Sequence, residues 1–336
     1  MKKKIANLFK YAFFLGLGIF LVWWSLHNIP DKEWGKFKLA IISAHYLLFV
    51  PVFLILTLSH LARALRWRLL MEPMGYLPSI TNTFFSVMIG YLANMAVPRL
   101  GEVLKCTIIA KYEKVPAEKI VGTIVAERAF DVVCLLFIFL IAFILQFDVV
   151  MSGYQYVKDN MPVNQHKGMS HLLIIIYITI AVAIIGSIIW VVISGEIYKI
   201  FAVLKKILLG IIEGLISASR LKHKLLFAIY TITIWLCYVM ATWIGLYATE
   251  ATRGLGIKGA ISCLAFGSIG MILTPGGIGT YAIFLAIALE GNGILYEYGI
   301  ANGTIQWFAQ TLIVLVVGFI CLMLLPIYNK HKEKIF

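Results

Sequence analysis

Three ionisable residues, Glu127, Arg128 and Asp131, interrupt the apolar run "IVAERAFDVV", seven to eleven positions beyond Ile120. At a rise of about 1.5 Å per residue they lie roughly 10–17 Å into a helix. Spacings of three and four place them on one side of it. An unpaired charge at the centre of a bilayer costs about 3 kcal/mol on insertion scales, and leucines would fill a purely structural role more cheaply. The chemistry such a set offers inside lipid is capture of a charged head group or carriage of a proton. The alternative is a buried structural salt bridge.

A second charged stretch, "MAVPRLGEVLK", lies upstream. Pro98 lacks an N–H and disfavours helix at the preceding residue, so a helix ends near Val97. Gly101 permits a turn or close packing, and a second arm starts near Glu102. Helix ends inside a membrane protein need buried partners or a wet cavity for their free backbone groups, and an N-terminal end attracts phosphate or carboxylate. Arg99 carries a planar donor fork suited to phosphate, and Lys105 adds a more flexible cation. Glu102 either neutralises Arg99 or holds it for a ligand. The pattern predicts a polar niche for an anionic head group, against the plainer reading of a cytoplasmic turn.

A third stretch, "TPGGIGTY", carries no charge. Gly276, Gly277 and Gly279 allow left-handed backbone and leave N–H groups free to face a ligand. Asn94, Thr274, Thr280 and Tyr281 offer neutral hydrogen bonds. No GK[ST] follows, so this is not a nucleotide-binding loop.

Which elements position these residues follows from composition. The 336 residues are 61% hydrophobic and 13% charged, with a mean hydropathy of +0.93, values that belong in a bilayer. Spans of about 20 apolar residues fall near 8–27, 39–62, 119–147, 171–193, 225–248 and 303–327. Two further stretches, 81–110 and 259–289, are interrupted by "PRLGE" and "TPGGIG". Their arms of about 10 to 15 residues are short for full crossings, so each reads as a hairpin that enters and leaves by one face. The fold class is therefore an all-α polytopic membrane protein with about six transmembrane helices and two re-entrant helical hairpins, in a single integral membrane domain over 1–336.

With both termini inside, the cytoplasmic pieces 1–10, 63–78, 99–119, 194–224 and 328–336 hold 21 of the 29 Lys and Arg, as the positive-inside rule requires. The net charge of +13 then reads as orientation and attraction to anionic lipid rather than nucleic-acid binding. The halves 1–147 and 171–327 have the same element order in opposite orientation, and each places a glycine eight residues before its hairpin proline, Gly90 with Pro98 and Gly267 with Pro275. This predicts an inverted repeat. Residues 195–224, with lysines among apolar residues, read as a cytoplasmic interfacial helical segment. Five cysteines and seven histidines form no CxxC, HExxH or comparable spacing, and neither a metal nor a cofactor is expected.

The run "NMAVPRLGEVLKCTIIAKYEKVPAEKIVGTIVAERAFDV" resembles the signature of a flippase-like membrane family that includes the transmembrane region of lysylphosphatidylglycerol synthases. "LARALRWRLLM" and "TPGGIGTY" agree with it. Asn94, Pro98, Arg99, Gly101, Glu102, Glu127, Arg128 and Asp131 match the pattern, as do Pro275, Gly276, Gly277 and Gly279. A glutamate common three residues after the last glycine is Ala282 here. In two-domain members a cytoplasmic aminoacyltransferase makes aminoacylated lipid, and the membrane part is associated with moving it between leaflets. Only the membrane part is resembled, so lysyltransferase activity is not expected. The resemblance implies a transporter or flippase of the cytoplasmic membrane, acting on a phospholipid, an aminoacylated phospholipid or a polyprenyl-phosphate-linked lipid whose head group is anionic or zwitterionic. Glu102, Glu127 and Asp131 are its candidate proton carriers. The alternatives are a membrane enzyme acting on lipid phosphates and a scaffold partner for a separate lipid-modifying enzyme.

Overall fold

The computed structural model describes residues 16, 18–27, 29–97, 99–147 and 221–335, with the side chains of Ala96 and 331–335 excepted. Pro98, the expected span at 171–193, most of the expected interfacial segment at 195–224 and the first part of the span at 8–27 lie outside these residues. The described elements are α1 (Gly18–His27), α2 (Trp34–Ile42), α3 (Phe49–Met71), α4 (Ile80–Ala96), α5 (Leu100–Glu113), α6 (Ala117–Leu145), α7 (Lys224–Leu246), α8 (Gly256–Leu273), α9 (Thr280–Glu290) and α10 (Tyr296–Ile335). No strand occurs among the described residues. Five helical stretches, Tyr46–Met74, Ala117–Leu145, Lys224–Leu246, Glu250–Leu273 and Tyr296–Lys330, are long and apolar enough to cross a membrane. The protein is an all-α, multi-pass membrane protein.

Several boundaries differ from the sequence expectation. The span expected at 39–62 is two helices, because α2 stops at Ser43 and the chain turns through His45, whose N–H donates to the Ala248 carbonyl at 2.9 Å. Helix α3 then continues to Met71, carrying Arg63 and Arg66 into the protein rather than into a cytoplasmic flank. Two hairpin arms are longer than anticipated, α4 at 17 residues and α8 at 18, while α5 at 14 and α9 at 11 have the expected length.

The first hairpin is built by local chemistry. Ser79 caps α4, its Oγ accepting from the Asn82 N–H at 3.3 Å. Val97 is extended (φ −140°, ψ 116°), as the residue before a proline prefers. Arg99 then adopts a left-handed conformation (φ 67°) and starts α5. The arms touch backbone to backbone at Gly101, where a Cβ would sit 2.1 Å from the Gly90 carbonyl oxygen. The Gly101 N–H, one of the free donors of the first turn, is satisfied by Asn94 Oδ1 at 2.7 Å.

The second hairpin turns through Gly276, Gly277 and Gly279, all at positive φ (63°, 71° and 75°). A threonine staple closes it. Thr280 Oγ1 donates to the Gly270 carbonyl at 2.6 Å, and the Thr274 and Thr280 hydroxyls lie 2.7 Å apart. The two tips approach each other: α4 packs on the Pro275–Gly277 turn, and a Cβ on Gly276 would lie 3.8 Å from Met95 Cγ.

Helix packing recurs between the halves. Helix α3 packs on α7; α4 on α3 and α5, as α8 does on α7 and α9; α6 on α5 and α3, as α10 does on α9 and α7. Each closing helix also reaches the other hairpin, α6 against α8 and α10 against α4. Helix α6 shows two faces, with Leu136, Phe137, Leu140 and Ile144 exposed and Ala126, Glu127, Ala129, Ile138 and Ala142 buried. That is the pattern of a helix with lipid on one side and protein on the other.

Gly101→Ala tests the crossing of α4 and α5. The added methyl has no room, so a loss of about 1–3 kcal/mol or more is expected, seen as a lowered Tm in detergent. Gly122→Ala in α6, where nothing lies within 4 Å of the new Cβ, should leave the Tm unchanged or raise it slightly.

Candidate functional site

A cavity of about 500 Å³ opens where the two hairpin tips meet the long helices. Eight elements reach it, and its lining is largely apolar, with Leu56, Met95, Leu135 and Met271 among its walls. The polar contribution is concentrated. Arg63, Arg128 and Asp131 are its charged residues, with His60, Tyr91, Tyr238, Asn94 and Gln310 as neutral ones. These positions fall in the middle stretches of α3, α6, α7 and α10, so the cavity lies at mid-depth in the bundle.

Behind its charged wall is an ion-pair network spanning α3, α5 and α6. Glu127 is 1% exposed and accepts from Arg63 Nη1 and from Lys105 Nζ, each at 3.0 Å. Asp131 accepts from Arg63 Nη1 at 2.5 Å and from Arg66 Nη2 at 2.7 Å. Arg63 also donates through Nη2 to the Tyr238 hydroxyl at 3.2 Å. Lys105 Nζ lies 4.5 Å from the centre of the Trp67 ring, and the Trp67 indole N–H donates to Thr123 Oγ1 at 2.9 Å. Three cations thus face two carboxylates in this network, a formal excess of one positive charge. Donor capacity is also in excess. Arg63 Nε and both Nε and Nη1 of Arg66 are buried without a hydrogen-bond partner among the described residues.

Arg128, adjacent to Glu127 in sequence, is turned away from this network. Its Nη2 donates to Glu102 Oε1 at 3.1 Å, bridging α6 to the first turn of α5, and its side chain is 44% exposed. Glu102 therefore pairs with Arg128 and not with Arg99. Arg99 is exposed and makes no ion pair among the described residues, a correction to both roles anticipated for Glu102 beside it. The helix rotates Arg99, at its first-turn boundary, outward while Glu102, three residues on, reaches α6. Lys105, expected at a cytoplasmic end, is buried in the network because Gly90 and Gly101 bring its arm against α4.

The neutral candidates divide. Asn94 lines the cavity and caps α5, and Gly276 lines it too. The Gly276 carbonyl accepts from the Trp307 indole at 2.7 Å. Thr274 is buried in the threonine staple, and the Gly277 N–H is spent on the Thr274 carbonyl at 3.0 Å. The expectation of ligand-facing N–H groups fails at Gly277, since its turn closes on itself. Pro275 opens that turn, and Gly279 abuts α1, where a Cβ would lie 2.9 Å from the Gly18 carbonyl.

Sequence reasoning passed over Arg63, Arg66, His60, Tyr91, Tyr238 and Gln310 as site residues. A signal existed for the first two: carboxylates four apart inside a helix require cations, and Arg63 and Arg66 are three apart on one face.

Removing the shared anion tests this network. Glu127→Gln strands buried cations, so a loss of about 3–5 kcal/mol is expected, read as a lowered Tm or folded yield in detergent. Adding Lys105→Met should recover part of it.

Comparisons with known proteins agree with a multi-pass membrane protein. The family model described as the lysylphosphatidylglycerol synthase TM region matches residues 8–318. A UPF0104 membrane protein of Methanocaldococcus jannaschii is 26% identical over 112 residues, 32% of this chain and 32% of that protein's length, so the alignment spans about a third of each. No solved structure matches. With the family model covering all of the described helices up to Gly318, the chain belongs to the lysylphosphatidylglycerol synthase transmembrane-region family.

Proposed function

We propose that this protein moves an anionic or zwitterionic lipid between the leaflets of the cytoplasmic membrane, holding the head group in the central cavity while the acyl or prenyl chains remain in lipid. The observation that carries this is the cavity itself: mid-depth, largely apolar, touched by both hairpins, and lined by two arginines, Arg63 and Arg128, against one carboxylate, Asp131. A phosphate entering such a space meets guanidinium donors in surroundings of low dielectric, where charge-assisted hydrogen bonds are strong. The formal excess of positive charge in the network behind Arg63 favours an anion. Phospholipid, aminoacylated phospholipid and polyprenyl-phosphate-linked lipid all present one.

The recurrent packing of α3, α4, α5 and α6 with α7, α8, α9 and α10 supports an inverted repeat, the arrangement in which rocking of one half against the other exposes a shared site to alternate sides. In this reading the hairpins enter from opposite faces and meet tip to tip, with both termini in the cytoplasm. The proton-carrier role is narrowed by geometry. Glu127 and Asp131 are each held by two cations within 3.0 Å, which leaves Glu102 the freest carboxylate.

Reconstituted vesicles with head-group-labelled phosphatidylglycerol test the activity. Wild type should accelerate leaflet exchange, and Arg128→Gln should reduce it at least about tenfold, the scale of one lost charge-assisted hydrogen bond. A chemically altered lipid would instead mark an enzyme, and neither outcome a scaffold. Single cysteines at the hairpin bases, Lys114→Cys and Leu295→Cys, should react with an impermeant maleimide from opposite sides of the membrane. Labelling from the same side defeats the inverted repeat.

A further inference from the structure

The charged residues of the cavity are not equally available. Arg63 has spent Nη1 on Glu127 and Asp131 and Nη2 on Tyr238. Asp131 is shared between two arginines. Arg128 is different, since among the described residues its hydrogen bonding amounts to one contact, Nη2 to Glu102 Oε1 at 3.1 Å. The pair is monodentate, although guanidinium and carboxylate can form two parallel bonds. Glu102 is also incompletely satisfied, because its Oε2 is buried with no hydrogen-bond partner among the described residues. One donor of the guanidinium and one oxygen of the carboxylate make the contact, so the pair is not closed against a third group. It leaves a carboxylate short of donors beside a guanidinium with donors to spare.

We infer that Glu102 is a built-in competitor for the anion site: its carboxylate occupies Arg128 when no substrate is present, and a lipid phosphate displaces it. This rests on the reading of the cavity as a lipid head-group site and deepens it by making Glu102 a determinant of selectivity. A phosphate monoester or diester presents several oxygens in the geometry of the guanidinium fork, and so replaces one long contact with two. The displaced carboxylate is not stranded. Glu102 lies in the first turn of α5, where the helix dipole favours negative charge, and its side chain is 31% exposed. A neutral or cationic head group gains nothing from the exchange, so the internal pair discriminates against amphiphiles that lack a phosphate. Glu102 also stands three residues beyond Arg99 and one beyond Gly101, at the tip of the first hairpin, so substrate arrival releases one of the two ionic contacts that join this arm to α6, the other being Lys105 with Glu127.

The two roles of Glu102, competitor and positioner, predict opposite signs. Binding of dihexanoylphosphatidylglycerol to the purified full chain in detergent is measured by calorimetry for wild type, Glu102→Gln, Arg128→Gln and the double variant. The expected result is binding about fivefold or more tighter in Glu102→Gln and at least about tenfold weaker in Arg128→Gln and in the double variant. Dihexanoylglycerol, which has no phosphate, should bind all four alike. Weaker binding in Glu102→Gln, at unchanged Tm, overturns the competitor role and leaves the head-group site intact. Equal binding by wild type and Arg128→Gln removes the site itself, and the competitor with it. Should Glu102→Gln fold poorly, Glu102→Ala in lipid nanodiscs gives the same sign test.

Discussion

A guanidinium in apolar surroundings costs several kcal/mol unless a nearby opposite charge offsets it, and Arg63 and Arg66 are buried side by side between α3 and α6. Glu127 and Asp131 are what permit this. The requirement propagates through the fold. Helix α6 must turn Glu127 inward while keeping Leu136, Phe137 and Leu140 toward lipid, and α3 must stay helical as far as Met71 to bring both arginines to the same depth. Lys105 completes the pairing of Glu127 only because α5 lies against α4 with no side chain between Gly90 and Gly101. A network of this kind fixes the relative rotation of three helices, which nondirectional packing of leucines in lipid would do weakly.

The two hairpins solve the problem of ending a helix inside a membrane protein by different chemistry. In the first, the free N–H of Gly101 is capped by Asn94 from the opposite arm, and the next charged side chain, Glu102, is carried to α6. In the second, no charge is used. Thr274 and Thr280 staple the arms through the Gly270 and Ile278 carbonyls, and Trp307 from α10 takes the Gly276 carbonyl. Their meeting point is the cavity, so the same backbone breaks that require satisfaction also provide space that continuous helices would fill.

A second polar track lies on α10, where Asn302, Gln306 and Gln310 recur every four residues on one face. Asn302 donates to the Gly245 carbonyl at 3.0 Å, Gln306 to Asn302 at 2.8 Å and Gln310 to the Tyr281 hydroxyl at 2.8 Å. It stands on α7 and α10, whereas the ion-pair network stands on α3, α5 and α6. One set of helices is thus secured with charges and the other with amides. The difference places the positive charge on one side of the cavity only.

Much of this was legible in the chain. Hydropathy and helical period determine how many residues must lie in lipid, and the breaks at "PRLGE" and "TPGGIG" are dictated by proline and glycine stereochemistry, which is local. The cost of charge in lipid marks Glu127, Arg128 and Asp131 wherever they sit. The partners were not legible, because they depend on helix rotation and on contacts across 64 and 26 positions, Arg63 with Glu127 and Glu102 with Arg128. Arg63 and Arg66 resemble any basic flank in a one-dimensional reading, since a cation at a membrane boundary and a cation paired below it look the same until the carboxylate is placed. Sequence alone determined that this protein crosses the membrane and buries charge. Tertiary structure decided that Glu127 and Asp131 serve the buried arginines while Arg128 faces the cavity, because neighbours on a helix point about 100° apart and only packing chooses which of them meets protein.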